Sequence, residues 1–241
     1  MDDMVSVIIP TYNGKKFIQE TIESAVNQRM VDEVIIIDDN SSDGTFEFLQ
    51  QLHHEKVSLV KNNKNMGVNF NVNFGVKMIK NNYFILLGHD DVLPENYVEI
   101  GLNILLNSKA EFLFCNSICI NSTGEKGPLM FSDFAQKIKY LFPRLFLCRG
   151  NFVNATGAIQ SKNAFINIGG YNQNYHMSGE YLYWIKAVAL FQFKFTTKIR
   201  SLYRIHDNNI TASHKETIEY KKYIVACKQA ALKNLFCFLR S

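Results

Sequence analysis

Three polar clusters in this chain each follow directly on a short apolar run. Pro10-Thr11-Tyr12-Asn13-Gly14 comes after Val5–Ile9, Asp38-Asp39-Asn40-Ser41-Ser42-Asp43-Gly44-Thr45 after Val34–Ile37, and Gly88-His89-Asp90-Asp91 after Tyr83–Leu87. Adjacent carboxylates at the end of a strand suit an oxygen-ligated cation, Mg²⁺ or Mn²⁺, bridging protein to phosphate oxygens. No glycine-rich phosphate loop follows any of these runs, so a helix N-terminus alone would not hold a pyrophosphate. Each cluster also has a purely structural reading: Asp38 to Thr45 as a turn and helix cap, and Asp90-Asp91 as a solvated helix entry before Pro94. Their recurrence after successive runs favours a ligand site.

The elements that must position them alternate. Val5–Ile9, Val34–Ile37, Val57–Val60 and Tyr83–Leu87 are strands of the kind buried on both faces. Between them Lys15–Asn27, Thr45–Leu52 and Val68–Lys80 carry apolar residues at helical spacing. This order predicts an α/β fold with a mainly parallel, Rossmann-like sheet flanked by helices, and ligands in such sheets bind at the carboxyl ends of the strands. A helix over Glu95–Leu106 and a strand near Phe112–Cys115 continue the pattern. Gly127–Arg149 has no clean period and reads as loop plus short helix. Tyr175–Phe191 reads as a helix begun by Ser178, followed by strands Phe193–Ile199 and Leu202–Ile205. From Thr217 onward Tyr220, Ile224, Cys227, Ala231 and Leu235 recur every three or four residues, predicting an amphipathic helix.

The 241 residues carry 26 Lys+Arg against 22 Asp+Glu, a net charge of +4, with 47% hydrophobic and 20% charged residues. That composition excludes disordered, collagen-like and disulfide-scaffold classes. Residues 1–214 hold 20 basic and 20 acidic side chains and residues 215–241 hold 6 and 2, so the whole excess lies in the tail. A neutral body with acidic strand ends makes no phosphate-backbone groove, so no nucleic-acid partner is expected. Five cysteines, an odd number with no CxxC pair, together with the acidic start and the lack of a spanning apolar run, lead us to expect reduced thiols and a cytoplasmic setting.

Ser6-Val7-Ile8-Ile9-Pro10-Thr11-Tyr12-Asn13, Glu33 through Thr45, Asn65-Met66-Gly67 and Asp90-Asp91-Val92-Leu93-Pro94 resemble the family 2 glycosyltransferases, which have the GT-A fold. The resemblance extends to Gly169-Gly170-Tyr171, the Glu180–Trp184 helix and Tyr203-Arg204-Ile205-His206, so it spans most of residues 4–211. It implies inverting transfer of a sugar from a nucleotide-diphosphate donor, a UDP-sugar, to a hydroxyl of a saccharide or lipid-linked acceptor in surface polysaccharide synthesis. Pro10, Thr11, Tyr12, Asn13, Asp38, Asp39, Gly67 and Asp90 would then bind the nucleotide, with Asp39 on the base and Asp38 near the ribose. Asp90, Asp91 and His206 would hold Mn²⁺ or Mg²⁺, and Arg204 would support that strand or the diphosphate. Glu180, four residues before Trp184, would be the general base, with Trp184 in the core. Asn154, Thr156 and Gly157 would face the acceptor, and Gly127–Arg149 would close over the donor. Three positions depart from the family pattern: Gly88 replaces the first carboxylate of the metal motif, Gly179 the first acid of the Glu-Asp pair, and Glu180 the Asp usual at the base position.

No Gln-x-x-Arg-Trp run marks a processive synthase, which points to single-sugar transfer. Two other classes compete: an inactive sugar-nucleotide-binding relative, suggested by Gly88 and Gly179, and a sugar nucleotidyltransferase, which would need a Gly-rich entry loop that is absent. The expected domains are residues 1–214 and a basic helix over 215–241. That helix either packs on the domain or a second copy, or rests on an anionic membrane as a peripheral contact.

Overall fold

The computed structural model describes residues 3–147, 149, 151–207, 209, 222, 224–229 and 232. In chain order the elements are β1 (Val5–Thr11), α1 (Ile18–Val26), β2 (Val31–Asp38), α2 (Thr45–Gln50), β3 (Val57–Lys61), α3 (Val68–Met78), β4 (Tyr83–Leu86) and α4 (Tyr97–Ser108). Then follow β5 (Phe112–Ile120), β6 (Lys126–Leu129), α5 (Asp133–Leu141), α6 (Pro143–Leu147), β7 (Ile159–Ser161) and α7 (Lys162–Ile168). A 3₁₀ turn (Gln173–Ser178), α8 (Gly179–Leu190) and β8 (Phe193–Arg204) complete them.

The strands form one sheet in the order β3-β2-β1-β4-β7-β5-β6, with β8 paired to β5. Strands β1 to β4 pair in parallel, as do β5 and β8; β7 and β6 run against their neighbours. Successive side chains of a strand point to opposite faces, and both faces here are apolar. Ile8, Ile35 and Ile37 enter one core cluster with Val72, Phe84 and Trp184, while Val7, Ile9, Val34 and Ile36 enter the other with Ile18, Ile22 and Leu102. The result is three layers, helix on sheet on helix, with both sheet faces covered.

The expected strands are present and most run longer, β4 excepted, which stops at Leu86; the helix expected over Tyr175–Phe191 is a 3₁₀ turn up to Ser178 and α8 from Gly179. β1 runs on to Thr11 and β2 to Asp38, because the ladder continues while partners remain even after the apolar run stops. The two strand-like stretches near the end form the single strand β8, whose register against β5 slips between Cys115 and Asn116. Gly127–Arg149, expected as loop plus short helix, contains β6, α5 and α6. β7 is only three residues long, too short to show a period. At the end of the chain the described residues 222, 224–229 and 232 are helical; Cys227 is buried in the cluster that holds Trp184, and Ile224 packs against it. The rest of the tail, including Leu235–Arg240, lies outside the described residues. Among the described residues no helix is long and apolar enough to cross a membrane, and Cys115, Cys119 and Cys227 are free thiols.

Helix α3 lies directly on β1 and β2 because Gly75 has no side chain: a Cβ there would stand 2.6 Å from Ile8 Cγ2 and 3.1 Å from Ile37 Cδ1. Gly75→Val should therefore overpack this layer and lower stability by about 1–3 kcal/mol. Urea unfolding should show a lower midpoint with unchanged slope.

Candidate active site

The carboxyl ends of β1, β2 and β4 lie side by side, and the loops leaving them are cross-linked. Asp39 N donates to Thr11 O (2.8 Å) and Leu87 N to Ile8 O (3.0 Å), so the ladder continues into the loops. Asn13, with φ of 54°, donates through its backbone N to Ser41 Oγ (2.9 Å), and its Oδ1 accepts from Ser42 N (2.8 Å). Asp38 is fully buried; its Oδ2 accepts from Ser41 N (3.1 Å), while Oδ1 has no donor among the described residues. Thr11 Oγ1 is likewise buried without a partner among them. A buried carboxylate oxygen without a donor is costly, which makes Asp38 Oδ1 a place for a ligand hydroxyl or N–H.

Asp39 is used differently from expectation. Its Oδ1 accepts from Asn62 Nδ2 (2.8 Å) and Met66 N (2.7 Å), and its Oδ2 accepts from Gly67 N (2.8 Å). These bonds fasten the Asn65-Met66-Gly67 loop to β2, so Gly67 is reached through Asp39. Beyond Tyr12 and Asn13, a cavity of about 550 Å³ opens between Gly14, Lys16, Phe17 and His89 on one side and Asn121, Ser122, Ile205, His206 and Asp207 on the other. His89 is pressed under Gly14, whose Cβ would stand 2.7 Å from its ring; burial holds its imidazole below the usual range, opposed by the Asp90 carboxylate.

The two adjacent carboxylates part company. Asp90 Oδ2 lies 3.0 Å from His206 Nε2, and both side chains keep some exposure, 17% and 12%. Asp91 is 2% exposed and turned inward: Oδ1 accepts from Arg204 N (2.9 Å) and Oδ2 from Thr156 Oγ1 (2.8 Å). Burial, and then the Asp90 charge, push its carboxyl up to about 8. Both of its oxygens are already engaged by donors of the protein, so the expectation that Asp91 ligates metal does not match this geometry. Gly88 is explained by the same crowding, since a Cβ there would meet Asp91 Oδ2 at 2.8 Å and Asp90 Oδ1 at 2.9 Å.

Arg204, 1% exposed, closes the arrangement. Its Nε donates to Asp90 O (2.8 Å), its Nη1 to Asn121 O (3.0 Å) and its Nη2 to Glu20 Oε2 (2.6 Å), and the guanidinium sits 4.8 Å from the Phe17 ring centroid. Arg204 thus supports the loops instead of facing a diphosphate. Asn209 joins the group by donating through Nδ2 to Arg204 O (3.0 Å).

Glu180 stands in the first turn of α8. Its Oε1 accepts from Trp184 Nε1 (2.8 Å), one turn along, and from Asn151 Nδ2 (3.3 Å). Burial raises its carboxyl above the usual range, opposed by these two hydrogen bonds. Trp184 is fully buried, as expected of a core residue. Gly179 precedes because a Cβ at that position would run into Asn172 O and Asn69 Nδ2. The family's first acid is therefore excluded here by packing.

The expected acceptor residues point away from open space. Asn154 Nδ2 donates to Ser117 Oγ, Thr156 serves Asp91, and Gly157, at φ of 80°, accepts the Tyr97 hydroxyl on its carbonyl (2.7 Å) with no room for a Cβ. They form a buried seam between β4 and β8 and do not match an acceptor-facing role. Sequence reasoning missed Glu20, Phe17 and Asn62. Asn62 follows β3 as Asp39 follows β2, so the strand-end rule could have found it; Glu20 and Phe17 carry no local signal.

Among the described residues no group of three His, Cys, Asp or Glu gathers to hold a metal. The Asp90–His206 pair offers one carboxylate and one imidazole, a donor set that suits Mn²⁺ and leaves positions for phosphate oxygens.

The three layers, with polar loops at the carboxyl edge of the sheet, match the fold of solved GT-A glycosyltransferases. The sequence model described as "Glycosyl transferase family 2" matches residues 6–168, and the chain belongs to that family. An uncharacterized glycosyltransferase of Rickettsia typhi is 26% identical over 219 residues, 90% of this chain and 68% of that protein. The Escherichia coli UDP-Glc:alpha-D-GlcNAc-diphosphoundecaprenol beta-1,3-glucosyltransferase WfaP is 23% identical over 98% of this chain and 91% of its own. S. aureus TarS 1-349 in complex with UDP-GlcNAc shares the fold at a TM-score of 0.74 and 16% identity, over 93% of this chain and 66% of that one. A mannosyltransferase of Pyrobaculum calidifontis in complex with GDP-Man and Mn²⁺ does so at 0.68 and 14% identity, over 100% and 76%. This chain spans 60% of another TarS 1-349 chain that it matches.

Asp91→Ala should leave the Arg204 N–H and the Thr156 hydroxyl buried without acceptors, at about 1–3 kcal/mol each. Urea denaturation should show that loss, and a smaller one for Asp91→Asn, which keeps an acceptor oxygen.

Proposed function

We propose that this chain transfers one sugar, with inversion, from a UDP-sugar to a hydroxyl of a lipid-linked saccharide during surface polysaccharide synthesis. The observation that carries the reading is Glu180: a carboxylate raised by burial, aimed by Trp184 and Asn151, in a chain of this family. WfaP, named for a UDP-glucose donor and a diphosphoundecaprenol-linked acceptor and similar over nearly the whole chain, supports the choice of donor and acceptor classes.

In this reading Pro10, Thr11, Tyr12 and Asn13 line the nucleotide. Asp38 Oδ1 accepts from it, and Asp39 shapes the pocket by holding the Gly67 loop. Asp90 and His206 would hold a divalent cation, which, when bound, would offset the charge left on the departing nucleoside diphosphate. Glu180 takes the acceptor hydroxyl's proton as that oxygen bonds to the anomeric carbon, on the face opposite the breaking bond to the diphosphate. Oε1 being engaged, Oε2 receives the proton. Asp91 and Arg204 position the Asp90–His206 pair.

Glu180→Gln should lower kcat by about 10²–10⁴-fold while UDP binding persists. A base works deprotonated, so its raised carboxyl predicts that the wild-type rate falls on acidification with an inflection above the ordinary carboxylate range. That inflection should vanish from the residual rate of the variant. Screening sugar nucleotides for hydrolysis and transfer supplies the donor for both measurements; unchanged transfer in Glu180→Gln would remove it as the base.

Asp90→Asn and His206→Ala should each weaken UDP binding in Mn²⁺, as read by calorimetry, and match wild type in chelator. Equal loss in both conditions would rule out a cation between them.

A further inference from the structure

Helix α5 carries its apolar stripe on the side away from the core. Its inner face places Tyr140 in the main core cluster and buries Gln136. Its first turn is fixed by Asp133, whose carboxylate accepts from Arg200 Nη1 (2.9 Å) and Nη2 (2.6 Å) and from Asn116 Nδ2 (3.0 Å). On the opposite face Phe134, Ile138 and Leu141 follow at helical spacing, and Phe142 and Leu145 carry the stripe into α6. Phe134 is 74% exposed, Leu141 71% and Phe142 55%. A surface helix ordinarily turns polar residues to water, and contiguous exposed apolar side chains of this size mark a docking surface.

The exposed charges beside the stripe share one sign. Lys137 lies on α5 and Arg149 just beyond α6, while Lys139 turns back over the Phe131 and Phe152 rings and the acid of α5, Asp133, is already paired inward. Two copies of this face related by a two-fold axis would bring these cations together. An anionic bilayer matches both features, taking the apolar stripe into its acyl boundary and the cations among its headgroups. We propose that α5 and α6 form a membrane-docking surface.

Its place in the fold gives that surface a use. Tyr181 donates its hydroxyl to Leu147 O, and Arg144 Nη2 donates to Ala189 O (3.0 Å), tying α6 to α8. Asn151, four residues past α6, donates to Glu180. Docking would therefore set the proposed base beside the bilayer, where a lipid-linked diphosphate saccharide presents its hydroxyl. This use rests on the function proposed above; the docking itself does not.

The test is co-sedimentation of the full chain with phosphatidylcholine vesicles, with and without about 30% phosphatidylglycerol. Wild type should partition onto the anionic vesicles, and the double variant Leu141→Glu/Phe142→Glu should lose roughly tenfold or more of that partition. Its thermal midpoint and UDP binding should hold. Lys137→Glu/Arg149→Glu should weaken the anionic preference. No partition by wild type, or unchanged partition by Leu141→Glu/Phe142→Glu, overturns the proposal. So does a wild-type dimer that this variant converts to monomer without vesicle uptake, which would assign the stripe to a second copy. UDP binding without vesicle uptake would sink docking alone, whereas vesicle uptake without UDP binding would sink the donor reading alone.

Discussion

The site depends on one buried cation. Taking a guanidinium out of water costs several kcal/mol unless its donors are met, and Arg204 is 1% exposed. It meets that cost by drawing in groups from separate parts of the chain: the Glu20 carboxylate from α1, the Asp90 carbonyl from the loop after β4 and the Asn121 carbonyl from the β5–β6 turn. The Phe17 ring covers one face of it. The requirement to satisfy Arg204 is therefore the requirement that these loops meet. Its own backbone N–H, bonded to Asp91, adds the end of β8 to the same junction and carries His206 to Asp90 two residues later.

This junction explains why two neighbouring carboxylates have different fates. Both stand in the turn after β4, where Asp91 N donates to Gly88 O (3.1 Å), and this turn sends the Asp90 side chain toward His206 and the Asp91 side chain into the protein. The inward one is held by the Arg204 N–H and the Thr156 hydroxyl, and burial raises its carboxyl. The outward one pairs with His206. Gly88 then reads as a fit to the crowding of two carboxylates over one backbone, and Gly179 as a fit to Asn172 and Asn69. Neither glycine needs a loss of activity to account for it.

Much of the donor side was legible because buried parallel strands are continuous apolar runs, and where such a run stops the polar loop of the site begins. Asp38, Asp90 and His206 came from that rule or from the family pattern. Their partners did not, because Asp91 and Arg204 stand 113 residues apart and Thr156 and Asp91 65 apart, and local patterning carries no such pairing. The acceptor expectations at Asn154, Thr156 and Gly157 failed for the same reason. Small polar residues near a strand serve equally well to join two strands. In α5 the failure was of another kind. The helical period is present there, in Phe134, Ile138 and Leu141, but α5 is nine residues long and Pro143 begins a separate five-residue helix, so Gly127–Arg149 looked irregular in sequence although it folds as strand and helices.

The replacement of the usual Asp by Glu180 bears on precision. Glu has one more side-chain torsion than Asp, and proximity in a displacement reaction tolerates little wandering of the base. Hydrogen bonds from Trp184 and Asn151 to the same oxygen, Oε1, remove that freedom and leave Oε2 for the proton. Trp184 is immobile because it is fully buried against Phe112, Phe114 and Tyr183. Asn151 is fixed in turn by Val153 N, which donates to its Oδ1 (3.1 Å). The proposed base is thus oriented from two directions, by the core through Trp184 and by the segment before β7 through Asn151.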